Sequence, residues 1–278
     1  MTVTIAGATA MQPVLRELSA EFSRQHPDVV FDLRGGGSAL GEAAAAKGKV
    51  DLAASTLFPP GIVDSTNTAQ SDSATPAADE LERTPIGLDG LAVIVHPDNP
   101  VDALTLLELR HLYSGRTIDW SELGGLAGDV ALVSREDGSG SRALFDARVM
   151  DDEPVSLTAV VMPTSQAVVD FVAHNPLAIG YVSRAYVADL LGDGPASTND
   201  TPADERAVAS EVKVVAVEGQ LPTVDNLLAQ RYALAQPLYL ITGPSSAGEH
   251  TDWVRQFIDF ALSPAGQEIV GRYHARVR

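Results

Sequence analysis

The chain has 278 residues, 45% of them hydrophobic, with 37 acidic residues against 19 basic ones and a net charge of −18. That balance argues against nucleic acid or an anionic membrane surface as partner, though not against a small anion held by local donors. The absence of cysteine removes thiol nucleophiles, disulfide frameworks and cysteine metal sites, and no run of about 20 apolar residues is present to span a bilayer.

In chain order, Val3 to Ile5 reads as a strand and Gly7-Ala8-Thr9-Ala10 as a small-residue turn. Pro13 suits a first helical turn. Val14, Leu15, Leu18 and Phe22 then fall at helical spacing to about Gln25. A second strand, Val29 to Leu33, runs into Gly35-Gly36-Gly37-Ser38 and a helix over Leu40 to Lys47, with Ser38 as its expected N-cap. A third strand, Val50 to Ala54, ends at Ser55-Thr56. Pro59 to Thr84 is polar and acidic and reads as a surface excursion. Leu91 to Val95 reads as a buried strand, and Thr105-Leu106-Leu107-Glu108 is a capping box.

Ala131 to Val133 is a strand that meets Ser134-Arg135-Glu136-Asp137-Gly138-Ser139-Gly140-Ser141. The glycines permit φ > 0 and close approach of a ligand to the backbone. Ser139 or Ser141 can cap a helix starting near Arg142. A helix N-terminus with unpaired N–H groups, two hydroxyls and the Arg135 fork make a pocket of donors matched to a tetrahedral oxyanion. Asp137 is expected to pair with Arg135 and hold it. The stretch reads equally well as a glycine turn carrying a surface arginine.

Farther on, Ser165 is expected to cap a helix through Val168, Val169 and Val172, and Ile179 to Ser183 is a strand. Gly192 to Glu205 reads as a second acidic loop and Val212 to Val217 as a strand. Leu238 to Thr242 is a strand expected beside Leu91 to Val95, so that the chain crosses between two lobes near Val95 and returns near Gln236. A helix through Trp253 and Phe257 follows, and Ser263-Pro264 starts another. Alternating strands and helices imply α/β layers with mainly parallel sheets. Hydroxyl-bearing turns recur at Thr9, Ser38, Ser55-Thr56 and Ser139. In an open parallel sheet such turns gather at the carboxyl ends of the strands, where ligands bind.

No complete catalytic signature appears. The glycine turns fit neither a nucleophile elbow nor a Walker loop nor a dinucleotide fingerprint, and the six histidines are scattered. Binding is therefore preferred to catalysis, and neither a cofactor nor a metal is implied.

Several segments together resemble the substrate-binding proteins of phosphate ABC transporters, of the type II periplasmic-binding-protein superfamily. They include Gly35-Gly36-Gly37-Ser38, Asp89-Gly90-Leu91-Ala92-Val93-Ile94-Val95 through Asn99-Pro100, and Leu109 to Gly115. Asp119-Trp120-Ser121 follows, then Arg135 to Ser141, the most specific segment. Asn175-Pro176 with Ile179 to Ser183, Arg231-Tyr232 through Tyr239, and Phe257 to Gly266 complete the set. The resemblance covers nearly the whole chain. It implies two α/β lobes joined by a two-strand hinge, residues 1–94 plus 237–278 as lobe I and 95–236 as lobe II, closing on a dehydrated phosphate. It assigns a hydroxyl and N–H groups to Thr9 and Ala10, the same to Ser38, and the fork, hydroxyls and N–H groups to Arg135, Ser139, Gly140 and Ser141. Where the family commonly has an Asp that accepts the phosphate proton, this chain has Thr56, which relaxes the expected discrimination against sulfate.

The expected function is capture of inorganic phosphate for an ABC permease by a monomeric extracytoplasmic protein that is not an enzyme. Met1 to Ile5 carries neither a basic nor a long apolar leader, so the expectation is either a cytoplasmic protein or a mature form from which the export signal has been removed and to which a start Met has been added. A sensor or interaction protein on the same scaffold, a binder of sulfate-like anions, and a hydrolase of phosphorylated substrates are the alternatives.

Overall fold

The computed structural model describes residues 1–59, 81–192, 211–244 and 251–277. The acidic segments expected between Pro59 and Thr84 and between Gly192 and Glu205 therefore lie largely outside the described residues.

The first three strands, β1 (Thr2–Gly7), β2 (Val30–Arg34) and β3 (Leu52–Ser55), pair in parallel with β1 in the middle. The helices between them are α1 (Gln12–Gln25) and α2 (Ser38–Ala46). Phe22, Leu18, Val14 and Leu15 face inward from α1 at helical spacing and pack on Val3, Ile5 and Leu52. This core also takes Phe257, Val270 and Tyr273 from the C-terminal helices α7 (Thr251–Leu262) and α8 (Pro264–Tyr273).

The strand expected at Leu91 to Val95 is the second half of a much longer one, β4 (Glu82–Val95). Pro85, Gly87, Asp89 and Gly90 disguise its first half. That half pairs antiparallel with β10 (Ala235–Thr242), in the register Leu238 to Gly87 and Thr242 to Glu82, and with a short β11 (Ala275–Arg276). β10 therefore does not lie beside Leu91 to Val95. Those residues pair with β8 (Ala178–Ser183) and β9 (Lys213–Val217).

Beyond β8 come β6 (Ala131–Arg135) and an edge strand β7 (Val160–Met162), all parallel, while β5 (Ala103–Leu104) pairs with β9. The sheet is mixed rather than mainly parallel, because β4 and β10 run against their neighbours. The helices here are α3 (Leu106–Ser114), α4 (Gly140–Phe145), which continues into a π-turn, α5 (Ser165–Ala173) and α6 (Val224–Leu228). Thr105 forms the expected capping box with Glu108.

Ile86 belongs to the first core and Leu91 and Val93 to a second, so β4 changes core between them, upstream of the expected crossing at Val95. On the return, Leu234 is in the second core and Leu238 in the first. Where the strands cross, the fully buried Asp89 carboxylate accepts from Ser183 Oγ (2.9 Å) and Gln236 Nε2 (2.8 Å), and His274 Nδ1 stands 3.2 Å away. One carboxylate thus ties four chain segments at the crossover. Burial, reinforced by the charge of Asp89, pushes the neighbouring Tyr232 hydroxyl well above the usual phenol range.

Candidate oxyanion site

Five hydroxyl-bearing turns that follow strands converge where the two halves of the sheet face each other. The β1 turn carries Ala8, Thr9 and Ala10 in a buried 3-10 turn. Gly7, at its start, has φ 137°, and any Cβ there would overlap the Ala54 carbonyl. The β2 turn runs through Gly36 (φ 118°) and Gly37 (φ 85°), angles open to glycine and costly for other residues. Gly37 takes the N-cap position, so Ser38 is the first helical residue rather than the cap. Its hydroxyl is thereby released toward β3, where it accepts the Thr56 N–H at 3.1 Å and lies 3.5 Å from Thr56 Oγ1. The neighbouring Ser55 turns away and donates to Glu42 (2.5 Å), which Arg83 holds with two bonds of 2.7 and 2.8 Å.

From the other half, β6 ends at Arg135 and a turn through Gly138 (φ 87°) leads to Ser139. Ser139 is the cap of α4, accepting the Arg142 N–H at 3.4 Å. Arg142 fastens this turn: its guanidinium donates to Ser134 Oγ (3.0 Å), to the Arg135 carbonyl (3.1 Å) and to both Asp146 oxygens (2.8 and 2.7 Å). Burial pushes the Asp146 carboxyl up, against the pull of Arg142. Burial likewise pushes the adjacent Tyr181 phenol up to about 12, so it stays a neutral partner for Ser134 (2.9 Å).

Arg135 is 1% exposed, far from a surface arginine. The expected partner Asp137 is exposed in the turn, and the carboxylate that holds Arg135 is Glu136. The chain leaves the strand after Arg135, so the alternation that would bring residue 137 back to the same side is lost. Glu136, with its extra methylene, folds back along its neighbour and takes Nε (2.9 Å) and Nη2 (2.9 Å) side-on. Nε also lies 3.2 Å from the Met162 carbonyl. Nη2 reaches across to Thr9 Oγ1 (3.1 Å) and Nη1 to Ser165 Oγ (3.0 Å). A guanidinium has five N–H groups. These contacts engage four of them and leave one on Nη1.

A small, tightly closed pocket lies between the two sets of turns, lined by Ala8, Thr9, Ala10, Gly37, Thr56, Arg135, Ser139, Gly140 and Ser141. Of the residues expected from the sequence, Thr9, Ala10, Thr56, Arg135, Ser139, Gly140 and Ser141 are brought together on its wall. Ser38 stands behind Thr56, and Asp137 is outside. The Ser141 hydroxyl is buried with no hydrogen-bond partner among the described residues. The lining has no carboxylate and no imidazole. Gly37, Glu136, Ser165 and Tyr186, whose hydroxyl donates to the Thr9 carbonyl (2.8 Å), complete the surroundings and were not legible as site residues. Ser165 is one position from the true cap of α5, Thr164, which accepts the Ala167 N–H at 3.1 Å. A fifth hydroxyl-bearing turn was the signal that could have found it. Among the described residues, no cluster of three or more His, Asp or Glu side chains could hold a metal ion.

Residues 1–265 match the family model of the PBP superfamily domain. The chain is 26% identical over 263 residues to the phosphate-binding protein PstS of Bacillus subtilis, covering 94% of this chain and 75% of that one. In structure it is similar to a protein from Clostridium perfringens described as a phosphate ABC transporter substrate-binding protein with bound phosphate, at 28% identity and a TM-score of 0.80, all of both chains being covered. An ABC-type phosphate transport receptor from Vibrio cholerae matches at 25% identity and a TM-score of 0.66 over 99% of this chain and 100% of that one.

Proposed function

The chain belongs to the PBP superfamily and has the fold of its type II periplasmic-binding members, and from that premise we propose that it captures inorganic phosphate between its lobes for uptake by an ABC transporter. The observation that carries this reading is the convergence of donors on a lining that contains no carboxylate. One Arg135 Nη1–H, the unpartnered Ser141 hydroxyl, and the Ser139 hydroxyl proton all belong to residues that line one small buried pocket. The Gly140 and Ser141 N–H groups at the start of α4 add to them. Hydrogen bonds to a charged group contribute about 1.5–3 kcal/mol each, so four or five contribute roughly 6–15 kcal/mol, a range that spans the roughly 8 kcal/mol of micromolar binding.

The relatives it matches are named as binding proteins and receptors, not enzymes. No helix among the described residues is long and apolar enough to cross a membrane. An extracytoplasmic monomer that hands its ligand to a membrane permease is consistent with both.

Calorimetry of the dialysed protein with phosphate and with sulfate, at pH values on either side of the second ionisation of phosphate, tests the reading. Phosphate is expected to bind at micromolar levels or better. A lining of donors without a carboxylate favours the more ionised anion. Apparent phosphate affinity is therefore expected to rise with pH, and to fall by up to about tenfold per unit below that ionisation, while sulfate affinity stays level. Thr56→Asp supplies a charged acceptor for the phosphate proton and leaves a buried charge unpaired against sulfate. That variant is expected to shift the ratio toward phosphate by at least about a hundredfold. No heat with either anion at either pH would remove the proposal.

A further inference from the structure

Ser165 lies at the first turn of α5, fully buried, in lobe II with Arg135. Its hydroxyl is surplus to the helix, because Thr164 already caps it. It points instead into a small ring of three side chains. Arg135 Nη1 is 3.0 Å from Ser165 Oγ, Arg135 Nη2 is 3.1 Å from Thr9 Oγ1, and the two hydroxyl oxygens are 3.4 Å apart across the interlobe seam.

A hydroxyl has one proton to give and two lone pairs to receive. Arg135 has no acceptor, so both hydroxyls must receive from it. Ser165 then has a proton left, and the oxygen that faces it is Thr9 Oγ1. If Ser165 donates there, both lone pairs of Thr9 are filled, by Nη2–H and by the serine O–H. The only capacity left to Thr9 is donation, and Thr9 lines the pocket. The opposite sense, Thr9 donating to Ser165, would turn a lone pair toward an incoming anion and repel it.

We propose that Ser165 is a positioning residue that fixes the polarity of the Thr9 hydroxyl, making Thr9 an obligatory donor to the bound oxyanion. The inference rests on the oxyanion reading of the same pocket. It adds a residue that does not touch the anion and belongs to none of the convergent turns read from the sequence.

The test is a double-mutant cycle read by phosphate calorimetry, with thermal unfolding of each phosphate-free protein alongside. Thr9→Val removes the donor at nearly constant shape and is expected to weaken binding by roughly tenfold. Ser165→Ala leaves Thr9 free to rotate and is expected to cost roughly three- to tenfold in affinity, with the phosphate-free unfolding midpoint lowered modestly by the loss of the Arg135–Ser165 bond. Ser165→Cys, a near isostere with a weak S–H donor, carries the same test should the alanine variant be unstable, and is expected to fall between wild type and alanine. In the Thr9→Val background Ser165→Ala is expected to cost nothing further, because the proton it directs is already gone.

Unchanged or tighter binding by Ser165→Ala would overturn the proposal. So would full additivity in the cycle, which would mean that Ser165 acts through Arg135 alone. A wild-type chain that binds no phosphate would overturn the functional reading and this inference with it, whereas normal wild-type binding with an additive cycle overturns the inference only.

Discussion

Arg135→Ala is expected to weaken phosphate binding by at least about a hundredfold, measured by calorimetry. The side chain is 1% exposed and its contacts come from four directions. Its removal takes away the anion-facing N–H, a charge-assisted bond of about 1.5–3 kcal/mol. It also leaves the Glu136 carboxylate, 24% exposed, without its counter-ion beside the seam. A carboxylate stripped of its partner in a poorly hydrated site repels a second anion and is costly in its own right. The Thr9 and Ser165 hydroxyls lose their common donor at the same time.

Arg135→Lys separates charge from geometry. The ammonium keeps the charge but cannot span Glu136, Thr9 and Ser165 with one rigid plane, so an intermediate loss is expected. Both lobes should still fold, since Arg135 belongs to neither hydrophobic core. Affinity of Arg135→Ala within threefold of wild type would show that the anion is held elsewhere.

The sequence disclosed the kind of turn better than the role of each hydroxyl within it. Strand, glycine, hydroxyl, helix recurs visibly at Gly37-Ser38 and Gly138-Ser139, because glycine spacing and helical periodicity are local properties. Which residue of a turn caps the helix is decided by a single backbone angle. Gly37, at φ 85°, occupies the cap position and leaves Ser38 free to hold Thr56. Thr164 does the same for Ser165. At both places a one-residue shift converts an expected cap into a residue facing the seam, and in both the weaker cap by type, Gly37 or Thr164, takes the position ahead of a serine, so residue type misled.

The choice of Asp137 over Glu136 failed for a related reason. Two-residue alternation holds within a strand and stops where the strand ends, and Arg135 is its last residue. The first half of β4 was missed because Pro85 and three residues disfavoured in strands, Gly87, Asp89 and Gly90, sit where β10 and β11 supply long-range pairing. Local propensity says nothing of partners that lie about 150 to 190 residues away.

Those long-range pairings also bear on the proposed function. β4 and β10 carry the chain between the two cores while the pocket walls come from both sides, so on that reading the donors are expected to converge only when the two sides meet. The contacts across the seam include Ala39 N–H to the Gly138 carbonyl (3.1 Å), Arg135 to Thr9 (3.1 Å), the Tyr186 hydroxyl to the Thr9 carbonyl (2.8 Å), Thr9 to Ser165 (3.4 Å), and the near approach of Gly140 to Ser38 and Thr56. A ligand that touches both walls favours this arrangement by its own differential affinity, and a substitution that acts only at the seam should change binding without changing either lobe.

Gly140→Ala is such a substitution, and it is expected to weaken phosphate binding by at least about a hundredfold while sparing the fold. A Cβ on residue 140 would overlap Thr56 Oγ1, stand 2.7 Å from Ser38 Oγ and 3.2 Å from Thr56 Cβ. All three atoms belong to the opposite lobe. Within its own lobe nothing objects: Gly140 has an ordinary φ, is the first residue of α4, and alanine favours helix over glycine by up to about 1 kcal/mol. The unfolding midpoint without phosphate should therefore hold or rise slightly. The closed form should be disfavoured, and affinity falls in proportion to the closed population. Small-angle scattering reads this directly: the wild-type radius of gyration is expected to shrink on adding phosphate and that of Gly140→Ala to stay constant. Adding Thr56→Ala removes the worst of the overlap and should restore part of the affinity, because the obstacle is steric and lies across the seam. Tight binding with normal contraction in the Gly140→Ala protein would mean that the anion is held without these two walls meeting.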